Sequence, residues 1–159
     1  INRFESSGFR LQVGLKNKHI HWKTGVAYTG IKTNYGTDRF VFSPEVNTSI
    51  TWTWIKTGVS FFAYCKYTGK FISYSKNDTG ALNQFALSDY TMLDINCSRD
   101  FFKQKLSLSV GAKNLLNVTS INTTGNASSG AHASGSGSTP IGWGRSGYVK
   151  IQFKFGSIK

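Results

Sequence analysis

The residues best suited to metal chemistry in this sequence are a histidine pair and two cysteines. His19 and His21 are one residue apart, so in a strand both imidazoles share a face and could bind a metal. No third ligand lies nearby, and we interpret the pair as solvated strand residues. Cys65 and Cys97 are too few and too far apart to indicate a disulfide framework or a four-ligand zinc site. We interpret both as small apolar strand residues and expect no metal and no cofactor.

Motifs that carry catalysis are missing from the sequence. It contains no Gly-x-Ser-x-Gly turn and no glycine-rich phosphate loop. Its carboxylates form no suggestive pair, and Asp94 is a single polar residue inside a predicted strand. We therefore expect a protein that is not an enzyme.

Composition favours strands and turns over helices. Aromatic residues make up 14% of the 159 residues and charged residues 16%, with 17 glycines. No run approaches the roughly 18 consecutive apolar residues of a transmembrane helix. Residues 1–5 lack the plan of a signal peptide, so we expect the start to be internal. The net charge of +12 would attract nucleic acid, an anionic ligand or lipopolysaccharide phosphate, and it does not choose among them.

Period-two alternation of apolar and polar residues recurs seven times and predicts seven strands. In the last strand Val149, Ile151 and Phe153 are apolar, whereas Lys150 and Gln152 between them are polar. Such a strand has one apolar face and one polar face. The predicted strands cover approximately residues 9–16, 19–32, 40–54, 59–75 (where Phe62 breaks the pattern), 93–98, 105–113 and 148–155.

The connections between these strands alternate in length. Residues 15–19, 54–58 and 98–105 form short turns, whereas the connections within 33–39, 74–85 and 119–145 are polar and longer. This plan is typical of an outer-membrane barrel with periplasmic turns and extracellular loops. The sequence therefore predicts an all-β, transmembrane, antiparallel barrel with Ile1 outside and Lys159 in the periplasm. Aromatic residues near the short turns are consistent with an interfacial girdle: Trp22, Trp52, Trp54, Phe101 and Phe102.

Bacterial outer-membrane barrels usually have an even number of strands, and seven is odd. An open sheet in lipid would also leave unpaired edge groups, each costing several kcal/mol. Further strands must come from another part of the polypeptide or from a partner chain.

The largest predicted extracellular loop contains the candidate ligand contacts. Residues 119–144 are rich in small and polar residues and offer little apolar area to offset the entropy of ordering. This loop could close over a substrate through His132, Trp143 and Arg145, and the alternative is a disordered surface loop.

The stretch from Tyr90 to Val118, YTMLDINCSRDFFKQKLSLSVGAKNLLNV, resembles the penultimate hairpin of a TonB-dependent receptor. Leu93-Asp94 matches the family's Leu-Asp strand. Residues 111–115, Gly-Ala-Lys-Asn-Leu, match its strand ending, although Leu116 and Asn117 replace the usual Phe and Asp.

The final strand carries the second part of the resemblance. Residues 144–148, Gly-Arg-Ser-Gly-Tyr, are similar to the entry of the family's last strand. The ending at Phe153 and Phe155, with Tyr148 before it, resembles the signal read by the barrel assembly machinery. The resemblance is specific over about residues 90–155 and generic upstream.

This resemblance implies a 22-stranded barrel occluded by a plug, of which residues 1–159 would be the C-terminal part without the plug. It implies a transporter in the bacterial outer membrane that imports a scarce nutrient such as a siderophore, haem, cobalamin, glycan or peptide. The implied partners are the remaining strands and plug (in the same polypeptide or a separate chain), TonB through the plug, lipid and lipopolysaccharide. A surface lipoprotein is a further candidate, and nucleic acid is not expected.

Basic residues on the polar faces have two interpretations. They could attract an anionic substrate, or they could pair with carboxylates on a plug and with solvent. The set comprises Arg10, Lys16, Lys23, Lys66, Lys113, Lys150 and Lys154.

Two alternatives stay open on the sequence. The first is a secreted β-sandwich module that binds glycan or nucleic acid, and the second is an outer-membrane barrel of another family, such as an adhesin or porin. Barrel and sandwich differ in the surroundings of one set of side chains. In a barrel these side chains face lipid, and in a sandwich they form a buried core. They are Leu106, Leu108, Ile151, Phe153 and Phe155.

Overall fold

The computed structural model describes residues 4–33, 39–76, 82–125 and 137–155, and these are antiparallel strands and connections without a helix. None of these residues belongs to a helix long and apolar enough to cross a membrane. The strands are β1 (Phe4–Lys16), β2 (Ile20–Thr33), β3 (Val41–Trp54), β4 (Val59–Thr68), β5 (Phe71–Lys76), β6 (Leu82–Leu87), β7 (Tyr90–Phe101), β8 (Leu106–Lys113), β9 (Ser120–Gly125), β10 (Gly137–Pro140) and β11 (Ser146–Phe153).

The seven alternating segments form one antiparallel sheet in the order β1-β2-β3-β4-β7-β8-β11. Its register places apolar residues opposite one another, as where Val110 pairs with Cys97 and with Val149. Because opposite residues of an antiparallel pair share a face, one side of the whole sheet is apolar. We call this side the apolar face and the other the polar face. The apolar face includes Phe9, Leu11, Val13, Leu15, Trp22, Val26, Val46, Ile50, Trp52, Phe61, Ile95, Leu108, Val149, Ile151 and Phe153.

The predicted fourth strand, 59–75, is wrong in its length. β4 ends at Thr68, and β5 belongs to a different sheet. The backbone N–H of Gly69 donates to the carbonyl of Pro44 over 2.7 Å, and a Cβ at Gly69 would lie 2.6 Å from the Pro44 ring. The chain therefore turns away at Gly69, because only a residue without a side chain fits this approach.

A second sheet is formed by β5, which takes up the end of the predicted fourth strand, by β6 next to it, and by β9 and β10 within the predicted connection 119–145. Its order is β10-β9-β6-β5. In β9, Ile121 and Thr123 are buried, and the Thr123 hydroxyl bonds to the Thr139 hydroxyl over 2.7 Å. The prediction of seven strands therefore missed four short ones in the described part of the chain.

Among the described residues, none forms a second layer over the apolar face. The buried apolar residues in the described ranges are Ala27, Ala86 and Ile121, whereas Ile151 is 61% exposed and Phe153 is 60% exposed. A β-sandwich would bury these two side chains in a core, so their exposure contradicts that alternative. The sheet is also open, with β1 and β11 at its edges.

The short turns at one end of the seven-stranded sheet are tied to their neighbours through the backbone. The N–H of Thr53 donates to the His19 carbonyl over 2.7 Å, and that of Lys154 donates to the Lys105 carbonyl over 2.8 Å. We call turns 17–19, 55–58 and 102–105, with the strand residues next to them, the short-turn rim.

Candidate functional site

The candidate functional site lies at the opposite end of the sheet, where β8 leads into the second sheet. The backbone N–H of Asn114 donates to Asp94 Oδ1 over 2.8 Å. Its side-chain Nδ2 donates to the carbonyls of Val118 and Trp143 at 2.9 and 3.0 Å, and its Oδ1 accepts from the Val118 N–H at 2.9 Å. Asn114 is buried and has a φ of +52°, a left-handed conformation that Asn tolerates better than most residues.

A second asparagine joins the two ends of the connection between β8 and β11. Asn117 Oδ1 accepts from the Arg145 backbone N–H at 3.2 Å, and Arg145 Nε donates to the Leu115 carbonyl at 2.8 Å. A Cβ at Gly144 would lie 2.8 Å from Asn117 Oδ1. Glycine is therefore the residue that fits against this asparagine.

These contacts form one hydrogen-bonded unit, which we call the Asn114 junction (Asp94, Asn114, Asn117 and Arg145). Three separate motifs of the sequence meet here: Leu93-Asp94, the segment 111–115 and Gly144-Arg145. Leu115 N–H also donates to the Leu93 carbonyl at 2.8 Å. The residues that carry the family resemblance therefore hold the base of the 114–145 connection. Their sequence pattern indicated the motif, but nothing in it revealed that the three pieces bond to one another.

The predicted ligand contacts have different positions relative to this junction. Trp143 has its carbonyl bound to Asn114, while its side chain is 93% exposed. Arg145 is exposed, with its Nε already engaged by Leu115. His132 lies outside the described residues. Trp143 and Arg145 are thus brought together, and their contact with a ligand stays a prediction.

The predicted assembly-signal residues lie on both faces of β11. Tyr148 is on the polar face, where its hydroxyl accepts from Asn96 Nδ2 at 3.0 Å. A Cβ at Gly111 would lie 2.5 Å from this ring, so the ring covers the glycine. Phe153 lies on the apolar face opposite Leu106. Phe155 lies beyond the end of β11 and is 95% exposed.

The basic residues of the polar face are partly paired within the chain. Lys66 Nζ lies 3.1 Å from Glu45 Oε1 in an ion pair. Lys113 Nζ lies 5.9 Å from the centre of the Tyr148 ring, within the range of a cation–π contact. The exposed members of the set are Arg10, Lys16, Lys23, Lys113, Lys150 and Lys154, of which Lys16 and Lys154 lie at the ends of their strands in the short-turn rim.

The histidine pair lies at the other end of the sheet from the Asn114 junction, whereas Cys65 pairs with Leu93 next to Asp94. His19 Nδ1 lies 3.3 Å from the Thr53 carbonyl in the short-turn rim. Cys65 and Cys97 are free thiols on the apolar face. In the described ranges, no three or more His, Cys, Asp and Glu side chains are grouped so as to hold a metal ion.

The sequence matches no protein-family model and no curated protein. Solved structures do match. The ferripyoverdine receptor of the outer membrane of Pseudomonas aeruginosa, bound to ferripyoverdine, has a TM-score of 0.62 and 14% identity over 94% of this chain and 19% of the receptor chain. A complex of FpvAI with pyocin S2 has a TM-score of 0.59 and 14% identity over 93% of this chain and 18% of that one.

A third structure, Pseudomonas aeruginosa FpvA bound to a heterologous pyoverdine with iron, has a TM-score of 0.59 at 14% identity, over 93% of this chain and 19% of that one. The described chain therefore has the fold of part of an outer-membrane receptor barrel. This confirms, at the level of the fold, the resemblance to a TonB-dependent receptor. The chain spans about a fifth of the length of the receptor chains that it matches.

Proposed function

We propose that this chain is part of a TonB-dependent transporter of the bacterial outer membrane, where it supplies barrel wall and extracellular loops. The observation that carries the proposal is the exposed apolar face, which continues across all seven strands of the sheet. Isolated exposed apolar residues are normal in soluble proteins, but a contiguous apolar surface of this extent needs a partner or a membrane. A polar face on the other side of the same strands suits a water-filled or plugged lumen.

Strand lengths support the same assignment. β1 has 13 residues, and β2 and β3 have 14 each, whereas a tilted strand needs about 9–11 residues to cross a bilayer. The two open edges require further strands in lipid, since unpaired backbone groups there cost several kcal/mol each. We assign residues 1–159 to the C-terminal part of a 22-stranded barrel whose other strands and plug lie outside this sequence, in the same polypeptide or in a partner chain.

The extracellular end would carry the ligand contacts. The second sheet and the exposed Trp143 ring lie on the long-connection side, as a ligand-capturing surface should. Two of the matched receptor structures hold pyoverdine with iron, so an iron–siderophore complex is the first substrate class to test. Haem, cobalamin, glycan and peptide are the other candidates. The proposed role is transport without catalysis, with TonB acting through the plug.

Iron uptake by cells tests this proposal. Cells that produce the receptor containing this chain, and cells in which it is deleted, would be given radioactive iron on a panel of siderophores. We expect deletion to abolish uptake of one siderophore class, and a protonophore to abolish the same uptake, because transport draws energy from the inner membrane. The same comparison with labelled haem, cobalamin, glycan and peptide covers the other candidates. Uptake that survives both treatments for all of these nutrients would contradict the proposal.

Substitution of Trp143 then separates ligand capture from barrel assembly. Loss of an anchor aromatic ring costs about 2 kcal/mol or more in binding, so Trp143→Ala should weaken binding by about 25-fold or more. Trp54→Ala, at the opposite end of the sheet and 50% exposed, is the matched control and should leave binding unchanged. If both variants bind the ligand equally well, Trp143 is not a ligand contact.

A further inference from the structure

A groove lies on the apolar side of the short-turn rim, where β8 begins and β11 ends. It has a volume of about 400 Å³ and is lined by Phe102, Lys105, Leu106, Phe153, Lys154 and Phe155. Four of these side chains are apolar, and the two lysines are exposed at the rim. We call it the Phe153 groove.

The apolar lining of this groove is unusually open. Phe155 is 95% exposed, and Phe102 in the turn is 76% exposed. Phe102 and the next two turn residues have positive φ values, so the backbone of this turn is left-handed, a conformation that residues other than glycine seldom adopt. Burial of exposed aromatic surface lowers the free energy of the system. A ligand that covers these rings must therefore present apolar surface to them.

The short-turn rim, which contains the groove at its β8–β11 side, is strongly basic. Arg99 lies on the apolar face itself, between Val59 and Leu108, with its guanidinium 4.9 Å from the centre of the Phe101 ring. The nearest carboxylate in the rim, Asp100, accepts a hydrogen bond from Ser107. In the described ranges, none of the rim cations forms an ion pair. These exposed cations are Lys16, Lys18, Lys56, Arg99, Lys103, Lys105 and Lys154.

We infer that the Phe153 groove binds an anionic phospholipid of the leaflet on the short-turn side. An acyl chain would lie against Phe102, Phe153 and Phe155, and the headgroup phosphate would lie between Lys105 and Lys154. The flexible lysine stems allow both ammonium groups to reach the headgroup level while the stems cover apolar surface. The phosphate would partly neutralise the positive charge of the rim, where Asp100 is the one carboxylate that the described residues supply.

A phospholipid explains the arrangement better than a basic patch for an acidic protein would. Lys105 and Lys154 line the groove beside its phenyl rings, and Arg99 projects from the apolar face among apolar side chains. An acidic protein in the periplasm would contact the ends of the turns and leave the phenyl rings exposed. Assignment of this rim to the inner leaflet depends on the proposed function, but an anionic lipid bound to the groove depends only on the apolar face being in a bilayer.

Native mass spectrometry of the intact receptor that contains this chain tests the inference. The receptor would be purified in detergent and titrated with phosphatidylglycerol or with phosphatidylethanolamine of the same acyl chains. Each Lys near an anionic membrane surface contributes about 1 kcal/mol, which is about a fivefold change in affinity. The double variant Lys105→Gln/Lys154→Gln should therefore bind phosphatidylglycerol about 20- to 30-fold more weakly. Phosphatidylethanolamine binding should change little.

The matched control removes two lysines from the polar face, Lys23→Gln/Lys150→Gln, and should leave phosphatidylglycerol binding unchanged. Equal effects of the two double variants would overturn the inference, since the dependence would then be on net charge alone. The inference would also be overturned if the wild-type receptor bound lipopolysaccharide in preference to phosphatidylglycerol. The same holds if the Lys105→Gln/Lys154→Gln variant lost an acidic protein partner and kept its lipid. If the receptor transports its nutrient but shows none of these lipid effects, this inference is wrong and the proposed function stands. If the chain is found outside membranes, the proposed function is wrong.

Discussion

The backbone N–H of Asn114 donates to a carboxylate oxygen of Asp94 over 2.8 Å. This bond connects the start of the 114–145 connection to the middle of β7, on the sheet that would cross the membrane. Because Asn114 also holds the carbonyl of Trp143, a single asparagine fixes both ends of the connection to the barrel wall. The position of the exposed Trp143 ring therefore depends on a buried hydrogen-bonded unit.

Replacement of Asn114 by Gly tests this dependence. Glycine adopts the positive φ of this position without strain, so the variant removes the three side-chain hydrogen bonds and adds only the greater freedom of the unfolded chain. We expect a loss of about 2–4 kcal/mol, because buried partners are left unsatisfied. The readout is the temperature at which the purified receptor loses its folded mobility on a semi-native gel, together with protease cleavage within 114–145. Asn122→Ala, at an exposed position of β9, should behave like wild type; equal cleavage of both variants would show that the junction does not hold the connection.

The contact between Gly111 and Tyr148 gives a second prediction. Gly111→Ala should destabilise the receptor by about 1–3 kcal/mol, because the added methyl group overlaps the tyrosine ring. Tyr148→Phe keeps the ring and loses only the hydrogen bond from Asn96, so it should cost about 0.5–1.5 kcal/mol. Because the added methyl group and the ring compete for the same space, Gly111→Ala combined with Tyr148→Ser should be less harmful than the sum of the two single changes in the same gel assay. Strict additivity would contradict the packing of the ring over the glycine.

The two faces of β1 give a third prediction, with neighbouring residues as test and control. Leu11 is on the apolar face and 59% exposed, whereas Gln12 points to the polar face opposite Gly25. Leu11→Lys should cost about 2–4 kcal/mol, since a lysine on the lipid side of a barrel is least tolerated near the bilayer midplane. Gln12→Lys should cost little because its ammonium group reaches water. The amount of folded receptor in isolated outer membranes measures both, and tolerance of Leu11→Lys would place this face in water.

The sequence predicted the seven long strands and their faces because apolar alternation across a two-sided sheet leaves a strong period of two. It failed at Gly69, where the break depends on the distant Pro44 and not on a local pattern. It also failed for β9 and β10, whose residues are mostly Ser, Thr, Gly and Asn. Such strands are held by backbone bonds and hydroxyl contacts, and these leave no apolar pattern to detect.

The sequence indicates residues of the Asn114 junction but not the contacts between them. Asp94, Asn114 and Arg145 were singled out by resemblance or by position in a loop, but no spacing along the chain could show that they meet. In the sequence Asp94 is one polar residue within a strand, and its role as the acceptor for Asn114 depends on the register between β7 and β8. Contacts that depend on register or on long connections require the folded structure.

The central claim is that the chain crosses the outer membrane with its short turns inside and its long connections outside. Single cysteines at Trp143 and at Lys56 would be introduced into the receptor after Cys65 and Cys97 are changed to Ala, and intact cells would be treated with a membrane-impermeant maleimide. We predict that Trp143→Cys is labelled in intact cells, and that Lys56→Cys is labelled only after the outer membrane is permeabilised. Labelling of both positions in intact cells, or of Lys56→Cys alone, would contradict the account.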